Sequence, residues 1–139
     1  MKTHVEFRSD AFPAYEGEVK EINPGRFGKR LAEFLAAGLA REGFEAGDPI
    51  AEDWGWVLPI KNETFPLWIG CGNYEEYSNG FLCFIEPHKP FVRSLFKKIS
   101  TGSRVGALQE AMHNVLSANA RISDIKWWSH DEFNNQWKT

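Results

Sequence analysis

DWGWVLPIKNETFPLWIGCGNYEEYSNGFLCFIE, residues 53–86, decides the fold. Its alternating apolar residues, rich in aromatic and β-branched side chains, are interrupted at Lys61–Thr64 and again between Glu75 and Gly80. That is the pattern of three antiparallel strands joined by two hairpins. Side chains on a strand alternate between faces, and directly opposed residues share one, so the turns determine which residues lie together. With Lys61 opposite Phe65, Leu58 falls against Trp68, Trp56 against Gly70 and Trp54 against Gly72. With Asn73 opposite Phe81, Gly72 falls against Leu82, Gly70 against Phe84 and Trp68 against Glu86. One face then gathers Trp54, Trp56, Trp68, Leu82 and Phe84, with Tyr74 near its end, and the rings of Trp54 and Trp56 lie over glycines. The other gathers Val57, Pro59, Leu67, Ile69, Cys71, Cys83 and Ile85, a compact aliphatic set suited to packing against helices.

A sheet with two apolar faces must cover both or leave one for a partner. In one reading, helices cover the aromatic face and loops the other, and the glycines simply make room for rings. In the other, the aromatic face lines a groove for a ligand or another chain. The flanking segments bear on that choice. Thr3–Arg8 alternates as a half-exposed strand, and Ser9–Asn23 is mostly loop, with a short strand at Glu18–Ile22. Asn23-Pro24-Gly25 prepares a helix from about Arg26 to Glu42, whose Phe27, Leu31, Phe34, Leu35 and Leu39 share a face and which Gly43 ends. The Gly25–Lys29 stretch lacks the glycine spacing and the Ser or Thr of a phosphate loop and reads as a helix cap. Phe44–Asp53 reads as a solvated acidic loop.

Residues 88–104 hold five of the sixteen Lys and Arg residues and none of the nineteen acidic ones, so the rest of the chain sets eleven cationic side chains against nineteen acidic. Phe91, Val92, Leu95, Phe96 and Ile99 there suggest a short amphipathic helix with a basic, solvated face. A second long helix follows from Ser103 to about Asn119, with Thr101–Ser103 as its break and cap. Ile122–Ser129 reads as a last strand, in which Trp127 and Trp128 must face opposite ways, one of them joining the core. The tail from Asp131 to Trp137 forms a final helical turn docked through Phe133 and Trp137. The order β-α-β-β-β-α-β predicts an α+β fold, a single-domain sandwich over residues 1–139. It has a mainly antiparallel sheet of four to five strands and two main helices packed largely on one face.

The 139 residues suffice for a core without metals or disulfides, and 14% aromatic residues with six tryptophans is the informative excess. No run spans a bilayer, the N-terminus lacks an apolar signal segment, and the Asn62–Thr64 sequon matters only in a secreted protein, so a cytoplasmic setting is expected, without a membrane partner. Net charge −3 argues against nucleic acid. His4, His88, His113 and His130 have no metal-ligand spacing, and neither metal nor cofactor is expected. Cys71 and Cys83 share a face as free thiols. No catalytic residue is assigned. Two function classes follow. The first is a non-catalytic binding or interaction domain contacting its partner through Trp54, Trp56, Trp68, Phe84 and Tyr74, with Asp53 and Glu86 at the rim. Its ligand would be a small planar or cationic molecule or a protein, with a second copy of the chain satisfying the same face. Partner neutralisation of the immunity type fits the size and charge, although no motif carries it. The second is a small enzyme with a pocket between sheet and helices, using Cys71 with His88, or acidic residues.

Overall fold

In the computed structural model, which describes residues 1–21, 24–74 and 77–135, the chain is α+β. The strands are β1 (Lys2–Ser9), β2 (Ile50–Glu52), β3 (Gly55–Ile60), β4 (Leu67–Asn73), β5 (Gly80–Glu86), β6 (Phe91–Ser94), β7 (Lys97–Ser100) and β8 (Ile122–Ser129). The helices are α1 (Glu18–Glu21), α2 (Lys29–Arg41), α3 (Gly102–Ser117) and α4 (His130–Asn135). Six strands make one antiparallel sheet in the order β2-β3-β4-β5-β1-β8, and β6 and β7 pair separately. The β1–β8 pairing is irregular in two places, between Lys2 and His4 and between Glu6 and Arg8. No helix among the described residues is long and apolar enough to cross a membrane.

Both long helices cover one face of the sheet. Leu31, Leu35 and Leu39 of α2 and Val105, Leu108, Met112 and Leu116 of α3 are buried in one cluster with Val5, Phe7, Leu58, Ile69, Cys71, Cys83 and Ile85. The two helices approach closely where Gly38 meets Val115. A Cβ at Gly38 would lie 2.5 Å from the Val115 Cγ1, so a side chain there would push the helices apart. The expected cap at Asn23 lies outside the described residues. The start of α2 is instead held from a distance by Glu18, which is 2% exposed. Its Oε2 accepts from the backbone N–H of Gly28 (2.8 Å) and Lys29 (3.0 Å) and from the Trp56 indole N–H (2.9 Å), while Oε1 accepts from the Tyr15 N–H (2.8 Å). A carboxylate is favoured there because the first amides of a helix are free donors carrying partial positive charge.

Several expectations need correction. The second hairpin has the expected register, Asn73 opposite Phe81 and Gly70 opposite Phe84. The first is shifted by one residue: Ile60 pairs with Leu67, Leu58 with Ile69 and Trp56 with Cys71. Pro66 has no N–H to give a ladder and stays in the loop, Phe65 turns inward, and the Asn62 side chain donates to the Phe65 carbonyl at 3.0 Å. A shift of one exchanges faces. Trp56 therefore lies on the helix-covered face, 3% exposed, and Val57 and Pro59 take the other. It is the ring of Phe84 that lies over Gly70.

The acidic loop expected before Asp53 contains an edge strand, β2. The strand expected at Glu18–Ile22 is the helical turn α1, and Ile22 itself lies outside the described residues. The basic amphipathic helix is the β6–β7 hairpin, in which Val92 and Ile99 are cross-strand partners packed against the core. Thr101 does not cap α3 with its side chain. Its hydroxyl donates to the Lys89 carbonyl and its N–H to Pro90 O, at 2.9 Å, which clamps the base of that hairpin. The expected last strand, Ile122–Ser129, is reproduced, with Trp127 toward α3 and Trp128 on the opposite face.

Two substitutions test this architecture. Glu18→Ala leaves buried donors at Gly28, Lys29 and Trp56 without their acceptor and should cost about 2–4 kcal/mol in urea unfolding. Gly70→Val drives a side chain into the Phe84 ring and should cost ~1–3 kcal/mol. In the Phe84→Ala background that cost should fall by about 1 kcal/mol. Additive costs would place the ring elsewhere.

Candidate functional site

The face of the sheet opposite α2 and α3 carries the rings. Trp54 occupies the two-residue turn between β2 and β3, which brings it to this face although Trp56, two residues on, points the other way. Its ring lies 6.3 Å from Trp68 (28° between planes) and 5.2 Å from Phe84, and Trp68 meets Phe84 edge-on at 5.7 Å. Offset and edge-on contacts of this kind are the favoured arrangements of aromatic pairs. Gly70 makes room for the Phe84 ring, whereas a Cβ at Gly72 would meet the Trp54 backbone carbonyl at 3.1 Å and no ring. Trp54 is 36% exposed, and Trp68 and Phe84 are half-buried.

Beside the trio is a hollow of about 280 Å³ lined by Arg26, Trp54, Gly72, Asn73, Tyr74, Leu82 and Phe84. Arg26 reaches it from the segment before α2 and donates to the Asn73 carbonyl at 3.3 Å. On the other side of Tyr74 is a larger hollow, about 580 Å³, lined by Glu6, Arg8, Tyr77, Asp124 and Lys126 among others. Its walls carry both signs of charge. Glu6, on β1, accepts from the Trp128 indole N–H at 2.9 Å and from the Tyr74 hydroxyl at 3.2 Å. It thereby fixes the ring-bearing face at its β8 side.

Of the residues singled out from sequence, Trp54, Trp68, Phe84 and Tyr74 come together here, and Trp56 does not. Asp53 is exposed in the β2–β3 turn, next to Trp54. Glu86 sits opposite Trp68 and accepts from His88 at 2.8 Å. The Glu75–Glu76 pair lies outside the described residues. Cys71 and Cys83 are opposed, fully buried free thiols with sulfurs 3.9 Å apart on the helix-covered face, and burial pushes the Cys83 thiol well above its ordinary range. His88 lies across the sheet from Cys71, so the two do not form a nucleophile and base pair.

Histidines that no spacing rule connected meet at the β1 end of this face. The rings of His88 and His130 stack at 3.6 Å, His130 meets His4 edge-on at 5.5 Å, and His4 is sandwiched between Phe84 (5.6 Å) and Phe133 (4.9 Å). Among the described residues no group of His, Cys, Asp or Glu is placed to hold a metal ion. Helix α4 supplies His130 and Phe133, and so covers this end of the face. The expected second anchor, Trp137, lies outside the described residues. The start of α4 is a capping box: Glu132 N–H donates to Ser129 Oγ (3.0 Å) and Ser129 N–H to Glu132 Oε1 (2.9 Å). A Lys2 ammonium 2.6 Å away, together with Ser129, holds the Glu132 carboxyl down at about 2. The Ser129-x-x-Glu132 pattern is the sequence signal by which this start, missed in reading the sequence, could have been found.

Burial, then the nearby His130 and His88, lowers the His4 pKa from 6.5 to about 4. The folded chain thus binds fewer protons than the unfolded one between those values. The contribution of neutral His4 is complete above about pH 6.5 and declines as pH falls toward 4, by up to ~1.4 kcal/mol per pH unit. Urea unfolding across this range should show a shallower acid loss for His4→Phe than for the wild type. Parallel curves would mean that His4 titrates normally.

Comparison with protein-family models, with curated proteins and with solved structures finds no match for this chain.

Proposed function

We propose that this chain is a non-catalytic binding module that captures an apolar side chain of a protein partner, aromatic for preference, on the ring-bearing face of its sheet. The observation that carries this reading is the division of cover. α2 and α3 both lie on the aliphatic face, and among the described residues α4 covers the β1 and β8 end of the other, while Trp54, Trp68, Leu82 and Phe84 have partial cover. Rings of this size contribute roughly 150–250 Å² each when buried, enough for a small set to anchor a contact. The adjoining hollow of about 280 Å³ falls just below the range of roughly 300–1,000 Å³ typical of small-molecule sites. It suits one inserted side chain better than a whole cofactor. Glu6, Glu86 and Asp53 supply carboxylates around the rings, which favours a partner whose apolar group is flanked by hydrogen-bond donors or cations. A cytoplasmic setting, where thiols remain reduced, suits the adjacent Cys71 and Cys83.

N-acetyl-phenylalaninamide and N-acetyl-tryptophanamide serve as single-ring probes, followed by amide and indole NMR shifts. Saturable shifts should centre on Trp54, Gly72, Leu82 and Phe84, with affinity on the order of millimolar for so small a ligand. Leu82→Lys, at a half-buried position of the open face, should weaken binding about tenfold or more while preserving the fold. Shifts that are absent, spread over the whole chain, or retained in Leu82→Lys would overturn the reading.

A further inference from the structure

The β6–β7 hairpin contradicts local preference in three ways. Leu95 and Phe96 form its two-residue tip and are 94% and 101% exposed, so neither has a neighbour on any side. Leu95 holds φ 57°, a left-handed conformation that Gly, Asn or Asp adopts readily in a tight hairpin and that strains a branched side chain. Arg93 and Lys98 are directly opposed across the ribbon, where like charges repel. The base, by contrast, is secured by the Val92–Ile99 pair against the core and by Thr101. Phe91, half exposed, lies under the Lys98 ammonium at 4.0 Å, which extends the mixed apolar and basic surface down one side.

Two of these costs, the bare apolar tip and the opposed cations, are offset if the tip enters an apolar medium behind a layer of negative charge. We propose that the β6–β7 hairpin is a membrane-contacting element, whose Leu95–Phe96 tip enters the headgroup region of an anionic bilayer while Arg93, Lys97 and Lys98 engage lipid phosphates. The shape favours a bilayer over a protein. The tip is convex and bare all round, and a fluid interface closes around such a shape, whereas a protein would need a matching acidic pocket. The acidic remainder of the molecule does not forbid the approach. Strands of four residues set the tip about 13 Å from the base, beyond a Debye length of about 8 Å at physiological salt. The cations close to the tip dominate the field that the lipid meets, as in other apolar and basic interfacial segments.

Co-sedimentation with phosphatidylcholine vesicles, with and without phosphatidylglycerol, tests the proposal on the intact chain at low and near-physiological salt. The wild type should partition to the anionic vesicles at least about tenfold better than to neutral ones. Phe96→Ser should lower that partitioning about tenfold, and Arg93→Gln with Lys98→Gln should remove most of its salt dependence. Leu95→Gly relieves the backbone strain and removes the apolar side chain, so it should raise the thermal midpoint while weakening vesicle binding, a combination that a merely structural role does not produce. Equal partitioning to both vesicle types, or unchanged binding by Phe96→Ser, overturns the proposal. So does concentration-dependent self-association that Phe96→Ser abolishes, since the tip would then meet another copy of the chain.

Discussion

The carboxylate of Glu18 ties three separate parts of the chain into one geometry. A buried charge is tolerated only when its lone pairs are used, and here four N–H donors use them, from Tyr15, Gly28, Lys29 and the Trp56 indole. Because the same oxygen receives the first amides of α2 and the ring of β3, the helix is positioned over the side of the sheet to which Trp56 points. The aliphatic residues of β4 and β5 then receive α2 and α3. The rings of Trp54, Trp68 and Phe84 are left to the other side as a consequence. One salt-bridge partner would not achieve this. The Lys29 ammonium lies 5.3 Å from the centre of the Trp56 ring, and so contributes a cation over that ring while its backbone N–H binds the acid.

Much of this was legible in the chain, and the failures have local causes. The fold class, the β4–β5 register, the last strand and the two helices with their apolar faces followed from periodicity and turn chemistry. The β3–β4 register did not, because the break was read as Lys61 to Thr64 with Lys61 opposite Phe65, whereas Phe65 and Pro66 both belong to the loop and Ile60 pairs with Leu67. That shift of one moved Trp56 from the ring-bearing face to the core. The basic segment misled for another reason. Over ten residues, Phe91, Val92, Leu95, Phe96 and Ile99 satisfy a helical period as readily as a hairpin with a two-residue tip, and nothing at Leu95 advertises a positive φ. Glu18 was invisible as a cap, since the helix it serves begins eleven residues later and capping rules read only neighbouring positions.

The candidate face was legible in its rings and illegible in its polar frame. Trp68 and Phe84 were placed by alternation and Trp54 joins them through its turn, but Glu6, His4, His88 and His130 come from β1, from the segment after β5 and from α4, which only tertiary pairing brings side by side. Such a frame has a mechanical meaning. Glu6 holds Trp128 and Tyr74 by their polar ends, and His4 is wedged between two phenyl rings, so directed contacts tie down the β1 side of the face. The Trp54 side is positioned by a tight turn at the sheet edge and by ring packing on Trp68 and Phe84.

The two outer strands also decide how this protein can grow, and how it cannot. β2 offers three residues along its free side, and β8 is bent by the irregularities in its pairing with β1 and by Asp124, whose φ is 55°. An incoming strand would find only a brief run of straight backbone donors and acceptors at either border. Stacking of sheets end to end, the common route from a small β-rich domain to a fibre, is thus discouraged by geometry rather than by charge. The borders of the sheet thus offer little for a second chain to pair with, even while apolar side chains stand bare elsewhere on the molecule.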